Sequence, residues 1–251
     1  MSKSGALDLA SRVGGKLQKE QVLSTVQIYE KYHVNKYYDL VTSFYEYGWG
    51  ESFHFAARWK GESLRESIKR HEHFVALQLG LKPGQKVLDV GCGIGGPLRE
   101  IARFSGASIT GINNNEYQIT RGKELNRIAD VDEACNYVKA GFMKMPFSDY
   151  FLCNICNRSH MPSSLLKPGQ CFAAYEWCIT DSFDPLNQEH QRIKGEVELP
   201  NGLPGIRSMG QCLEALKVAG FEIIWEEDVA VNSPLPWYLP LDKNQFSLAS
   251  F

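Results

Sequence analysis

The stretch Lys86-Val-Leu-Asp-Val-Gly-Cys-Gly-Ile-Gly-Gly96 decides the fold. It begins as an apolar strand, carries one acidic residue near the strand's end, and runs directly into a glycine loop. Gly91, Gly93 and Gly96 fit G-x-G-x-x-G, and Pro97-Leu-Arg-Glu-Ile-Ala-Arg103 continues with the pattern of a helix. Proline suits a first helical turn because its missing N–H would have no partner there anyway. Glycines let the backbone approach a ligand, and a helix start offers it unpaired N–H groups. Strand, loop and helix in this order predict a site for a nucleotide-like cofactor.

The next strand, Ala107-Ser-Ile-Thr-Gly-Ile112, selects among such cofactors. An NAD site asks for an Asp or Glu about 20 residues past the glycines, to hold the ribose hydroxyls. This chain has Asn113-Asn-Asn115, which can hydrogen-bond a ribose only as neutral groups. An NAD-dependent oxidoreductase is therefore a distant alternative. Val-Leu-Asp-Val-Gly-Cys-Gly resembles the first motif of class I S-adenosylmethionine-dependent methyltransferases. That resemblance implies cofactor contacts from Asp89, Gly91, Cys92, Gly93, Asn113, Asn114 and Gln118. Cys92 reads as a small packing residue of the loop rather than a nucleophile.

Around this unit, strands are predicted at about 85–90, 107–112 and 135–139, with helices at about 97–104 and 115–128. The alternation predicts a parallel sheet in an α/β domain of Rossmann-like type. A helix over Ser63–Leu81 precedes it, and Lys19 to about His33 shows moderate helical periodicity. Later strands are expected at Gln170–Trp177 and Phe221–Glu226, with a helix at about 208–219 capped by Gly220. The implied organisation is an N-terminal helical extension (1–34), an aromatic segment covering substrate (35–82), the methyltransferase core (83–230) and the start of a C-terminal region (231–251).

Composition excludes several classes. Lys+Arg 27 against Asp+Glu 29 gives a net charge of −2, so there is no electrostatic case for nucleic acid. No apolar run reaches the roughly 18 residues of a spanning helix, and the N-terminus lacks a signal-peptide apolar region. Seven scattered cysteines read as thiols in a reducing compartment. Cys153 and Cys156 alone cannot fill a structural zinc site, so no metal is expected. His71 and His73, two apart on a helix, read as solvent-facing or hydrogen-bonding residues.

The segment Tyr37–Phe55 concentrates Tyr37, Tyr38, Phe44, Tyr45, Tyr47, Trp49, Phe53 and Phe55, with Glu46, Glu51 and His54 among them. A core-covering helix and loop is one reading. Gly48 and Gly50 around Trp49 favour a ring held at a loop, and acids and a histidine among rings need partners or a purpose. Tyr45-Glu-Tyr-Gly-Trp-Gly-Glu-Ser-Phe-His-Phe55 resembles the signature of sterol C-24-methyltransferases. So do Ser67-Ile-Lys-Arg-His-Glu-His73, Asn113-Asn-Asn-Glu-Tyr-Gln-Ile119, Lys167-Pro-Gly-Gln-Cys-Phe172, Tyr175-Glu-Trp177 and Pro236-Trp-Tyr-Leu-Pro-Leu241. The plant branch that acts on cycloartenol is nearest, and the likeness covers roughly 20–147 and 167–251.

The resemblance implies methylation of C-24 of a sterol side chain with S-adenosyl-L-methionine as co-substrate and no metal. A carbocation then forms on the side chain. Aromatic faces stabilise such a cation by about 2 kcal/mol or more per ring when desolvated. Tyr45, Tyr47, Trp49 and Phe53 are the candidates, with Tyr47 and Phe53 placed toward the substrate. A base must also remove a proton, and Glu46, Glu51 and His54 stand unranked for it. The resemblance also allows peripheral association with the cytoplasmic face of the endoplasmic reticulum, a cytoplasmic location, and a homo-oligomer.

Four departures from the family stand out. Ser148–Ser164 does not resemble it, and Asn157–Gly169, with Pro162 and Pro168, is poor material for a parallel crossover. The sheet is therefore expected to be incomplete around its fourth strand and at the C-terminus, although Tyr150–Cys156 could form a makeshift fourth strand. Gly141 stands where an Asp that reads adenine is implied. The chain stops at Phe251, before the family's C-terminal sterol-covering portion, and a polar insertion is absent at His33-Val-Asn-Lys36. These departures suggest an aberrantly spliced product with little turnover, and a non-catalytic fragment or binding module is the alternative reading.

Overall fold

The structure, a computed structural model, describes residues 34–140, 151–154, 169–198 and 205–236. The expected helix at Lys19–His33, together with Gly141, Cys156 and the crossover segment before Gly169, lies outside the described residues. The chain divides into two compact units, Met1–Phe44 with Trp177–Glu214, and Tyr45–Glu176 with Ala215–Phe251.

The second unit holds a five-stranded, all-parallel sheet. Its strands are β1 (Lys86–Val90), β2 (Ser108–Asn113), β3 (Cys135–Lys139), β4 (Phe151–Asn154) and β5 (Phe172–Ala174), in the order β3-β2-β1-β4-β5. Val87, Leu88 and Ile109 of the inner strands are almost fully buried, as strands covered on both faces must be. Helices α3 (Gly96–Ser105) and α4 (Glu116–Ile128) connect β1 to β2 and β2 to β3, and α2 (Leu64–Gln78) packs on α3.

Each helix start follows local chemistry. Ser63 and Glu66 form a reciprocal capping box on α2. Pro97 sits in the first turn of α3. The Asn115 side chain accepts the Gln118 N–H at 2.8 Å to open α4.

Around the fourth strand the makeshift alternative is the one that forms. Phe151–Asn154 pairs with β1 from Val87↔Phe151 to Val90↔Asn154, and with β5 from Leu152↔Phe172 to Asn154↔Ala174. This short apolar run provides backbone partners to two strands that would otherwise each carry an unsatisfied edge. A strand expected from the sequence does not form, because Phe221–Glu226 has no regular secondary structure and enters no ladder among the described residues. Ile224 is 82% exposed there, and Trp225 meets Phe74 edge-on at 5.5 Å. Alternating apolar residues form a strand only where a neighbour accepts their hydrogen bonds.

The helix α1 (Val34–Trp49) begins in the first unit and ends in the second. Trp49 is therefore the last helical residue, not a loop residue. Gly50, at φ 105°, closes the helix by donating to Tyr45 and Glu46 carbonyls. In the first unit, β6 (Cys178–Ile179) pairs in parallel with β7 (Arg207–Ser208). The exposed helix α5 (Gln188–Glu198) there carries Arg192 paired with Glu189 and Glu196. The helix α6 (Met209–Val218) is closed by Gly220 at φ 91°, whose N–H donates to the Lys217 carbonyl, as the sequence predicts.

Tyr137 of β3 ties the glycine loop to the sheet. Its hydroxyl donates to the Ile94 carbonyl at 3.0 Å, and its ring occupies the space that a Cβ on Gly122 would enter, 2.4 Å away. Gly122→Ala should therefore overpack this contact and lower stability by about 1–3 kcal/mol in a denaturant titration. An unchanged midpoint would show that the ring moves aside without cost.

Candidate active site

The site is built on the carboxyl ends of β1 and β2, where an open parallel sheet places its ligands. Gly91, Gly93 and Gly95 take φ of 80°, 54° and 78°, a left-handed backbone that side chains with a Cβ rarely adopt. Gly91 N–H donates to the Ile112 carbonyl at 2.8 Å, which fixes the loop to β2. Cys92 is buried, and its sulfur fills the place of a Cβ on Gly111, so it packs the loop as expected.

Asn113, at the end of β2, is buried and central to the cradle. Its amide donates to Gln118 Oε1 at 2.7 Å and to the Gly93 carbonyl at 3.4 Å, while its own oxygen accepts the Asn115 N–H at 2.9 Å. Asn113 and Gln118 thus join the glycine loop to the start of α4. Asn114 is exposed beside them.

Asp89 on β1 is 2% exposed, and neither carboxylate oxygen has a hydrogen-bond partner. Burial pushes its carboxyl up to about 7. A buried, unsatisfied acid at the mouth of a glycine loop fits a ligand that brings a cation with it. The ammonium and sulfonium of a sulfonium amino acid joined to a nucleoside meet that requirement. The residues present fit S-adenosylmethionine better than a dinucleotide whose pyrophosphate is anionic.

The segment Glu51–His54 lies over the loop as a strap. The Glu51 carbonyl and Ser52 hydroxyl stand 2.3 and 2.4 Å from where a Cβ on Gly96 would be, and the Phe53 ring lies 3.3 Å from that of Gly93. Tyr45 packs on Phe53 with ring centroids 5.4 Å apart. The Trp49 indole N–H donates to the His54 carbonyl at 2.7 Å, and its ring packs on Phe55. Tyr47, by contrast, is 91% exposed on α1.

Two ion pairs pin the strap and the end of α1. Arg121 of α4 donates to both Glu46 carboxylate oxygens, at 2.5–3.1 Å. Arg99 of α3 donates to Glu51 Oε2 at 2.7 Å, and also to Asn126 and the Ile94 carbonyl. The sequence offers no hint of these partners, which lie 75 and 48 residues away.

His54 is the candidate that enters the interior. It is 6% exposed, and its Nδ1 lies 3.8 Å from Oε1 of Glu72 on α2. Burial and the neighbouring His71 hold its imidazole well below the usual histidine value. Glu72 is 2% exposed, and burial raises its carboxyl to about 8 despite a hydrogen bond with Ser52. Both groups are therefore neutral, and the contact is not an ion pair at neutral pH. Sequence reading missed Glu72. It also misplaced His71, which is buried against the Tyr175 ring at 4.3 Å and lowered to about 4 by burial and Arg70. His73 does behave as a hydrogen-bonding residue, 2.7 Å from Glu100. The i, i+4 recurrence of buried positions on α2, Ser67, His71 and Val75 with Ile68, Glu72 and Ala76, could have separated the two histidines.

The comparisons agree with this geometry. The mycolic acid cyclopropane synthetase family profile matches residues 26–146. Cycloartenol-C-24-methyltransferase of Arabidopsis thaliana is 65% identical, over 98% of this chain and 82% of that protein. Cycloartenol-C-24-methyltransferase 1 of Oryza sativa subsp. japonica is 64% identical, over 100% and 81%. The Arabidopsis alignment runs over 277 residues, longer than this 251-residue chain, so that relative carries segments this chain lacks. Among solved structures, a mycolic acid cyclopropane synthase complexed with SAH and CTAB superposes with a TM-score of 0.67 at 17% identity, covering 79% of this chain and 77% of that one.

The sheet order, the glycine loop and the strap define a class I S-adenosylmethionine-dependent methyltransferase fold. The chain belongs to the sterol C-24-methyltransferase family.

The buried titratable groups make stability depend on pH in a specific way. In the unfolded chain the two carboxyls ionise near 4 and the imidazoles near 6.5. Folded Asp89 and Glu72 keep their protons longer, so stability falls as pH rises through about 7 to 8. Folded His54 and His71 resist protonation, so they remove stability as pH falls below about 6.5, where they oppose the carboxyls. Above about 6.5 the carboxyls act alone. The melting temperature should drop between pH 6.5 and 8, and the double substitution Asp89→Asn, Glu72→Gln should flatten that drop. A melting temperature that rises over this range would contradict the assignment.

Proposed function

We propose that this chain methylates C-24 of a cycloartenol-like sterol side chain, with S-adenosyl-L-methionine as methyl donor. The observation that carries this reading is the 65% identity to a cycloartenol-C-24-methyltransferase over 98% of the chain, strap and cradle included. The cofactor, when bound, supplies an electrophilic methyl group on a sulfonium. Gly91, Cys92, Gly93, Asn113 and Asn114 hold its methionine and ribose portions, and Asp89 attracts its positive charge. Gln118 keeps Asn113 in place.

The strap residues take up the substrate side. Tyr45 and Phe53 offer ring faces to the side-chain cation, and Trp49 sets the strap by holding the His54 carbonyl. Glu46 and Glu51, each bonded to a guanidinium, anchor the segment instead of accepting the proton. His54 accepts it, because a neutral imidazole has a lone pair to offer. Tyr47, exposed on α1, meets the sterol body. Sterols partition into membranes, which supports peripheral membrane association, and no helix among the described residues is long and apolar enough to cross one. The pairing of β4 with β1 and β5 supports retention of the cofactor cradle in spite of the altered segment before β5.

Calorimetric titration should show binding of S-adenosylmethionine and its demethylated product, and none of NAD. Gly93→Val should abolish it, because valine disfavours a φ of 54° and its side chain would press on Phe53. NAD binding without a response to S-adenosylhomocysteine would sink the assignment. For the strap, Tyr45→Leu should remove about 2 kcal/mol of cation stabilisation, roughly thirtyfold in turnover, and leave cofactor affinity unchanged. Equal loss of both would make Tyr45 a packing residue.

A further inference from the structure

We propose that Glu72 is a positioning residue for His54: it orients the imidazole and accepts its Nδ1–H when the ring takes the substrate's proton. This rests on the reading of His54 as proton acceptor. The geometry comes from two elements that meet inside the second unit. His54 lies on the strap, two residues after Ser52, and Glu72 lies on α2. His54 Nδ1 and Glu72 Oε1 are 3.8 Å apart, both buried, and neither has a hydrogen-bond partner. Glu72 also hydrogen-bonds the Ser52 side chain. One carboxyl thereby grips the strap at Ser52 and faces the ring at His54. Unpartnered buried polar atoms are rare in folded proteins and call for a reason. Catalytic hydrogen bonds are often long without ligand and tighten around the reacting complex.

In the proposed arrangement Glu72 carries its proton on the other carboxyl oxygen, so Oε1 accepts from His54 Nδ1. With the proton on Nδ1 directed at Glu72 Oε1, His54 Nε2 keeps a lone pair. In the deprotonation step the C–H bond beside the cationic carbon breaks, and its electron pair forms the new C=C bond. The proton goes to His54 Nε2, and Nδ1–H of the imidazolium donates to Glu72 Oε1. After product leaves, the proton passes to water and the neutral pair returns. The other groups that face this pair are His71 on α2, Asp89 on β1, and Arg99 and Glu100 on α3, while Arg70 and Tyr175 act on His71. With Glu72 raised to about 8, the carboxyl lies where a small change in its surroundings adds or removes a proton.

Long-range proton–nitrogen correlation spectra of the histidines in the whole chain provide a readout independent of turnover. His54 should be in the Nδ1–H form at pH 7 in the unaltered protein and in Glu72→Gln, whose amide oxygen still accepts. In Glu72→Leu it should shift to the Nε2–H form. The Nε2–H form in the unaltered protein, or the same form in all three proteins, overturns the proposal. If the leucine variant does not fold, kinetics of the smaller Glu72→Ala variant decide. Glu72→Ala should lower kcat by about tenfold or more, Glu72→Gln should keep it within about threefold, and both should leave the Kd for S-adenosylhomocysteine within about twofold. Glu72→Asp should recover part of that loss. A parallel fall in kcat, affinity and melting temperature would mean that Glu72 only braces the strap, and would overturn the proposal. Full turnover in His54→Gln would remove His54 as the base, while the tautomer spectra still judge the Glu72 contact separately.

Discussion

The site depends on the close approach of the strap to a glycine loop that has no room for side chains. The Glu51 carbonyl lies where a Cβ on Gly96 would be, so this residue must be glycine for the strap to close. From that contact the remaining placements follow. Phe53 reaches Gly93, His54 turns inward toward α2, and Tyr45 is drawn against Phe53. Arg99 and Arg121 hold the strap and the end of α1 from the core side. Arg99 is itself buried, with its guanidinium shared among Glu51, Asn126 and the Ile94 carbonyl, so it links strap, loop and α4 at once.

The interior beneath the strap is unusual for its uncompensated acids and bases. Asp89, Glu72, His54 and His71 are all buried, and all keep at least one polar atom unpartnered. Each such atom opposes folding by about 1–3 kcal/mol. A packed core of Val87, Leu88, Leu98, Ile101 and Ile109 provides the stability against which this is set. Neutralisation reduces the cost: the acids hold their protons and the imidazoles stay unprotonated. Strain of this kind is typical of residues kept for their chemistry at the expense of stability.

The sequence by itself determined the local elements and the cradle. Strand, glycine loop, Pro97 and the Asn115 cap are neighbours in the chain, so their geometry is written in short-range steric and hydrogen-bond rules. β3 falls at Cys135–Lys139 as predicted, and α2 begins at the Ser63 capping box for the same reason. The cysteine of the loop, the neutral Asn113 and the aromatic segment were all legible as types of residue suited to one chemistry.

Only the tertiary structure decided what each charged residue does. Glu46, Glu51 and His54 look equivalent in the sequence. They differ because Arg121, Arg99 and Glu72 reach them across the fold, and no local pattern encodes such distances. The same limit explains the strands. Phe151–Asn154 becomes one because β1 and β5 need a partner between them, whereas Phe221–Glu226 does not because none among the described residues stands beside it. A helix cap is satisfied within three residues of itself. A strand or a buried charge is satisfied only by whatever the rest of the chain brings to it.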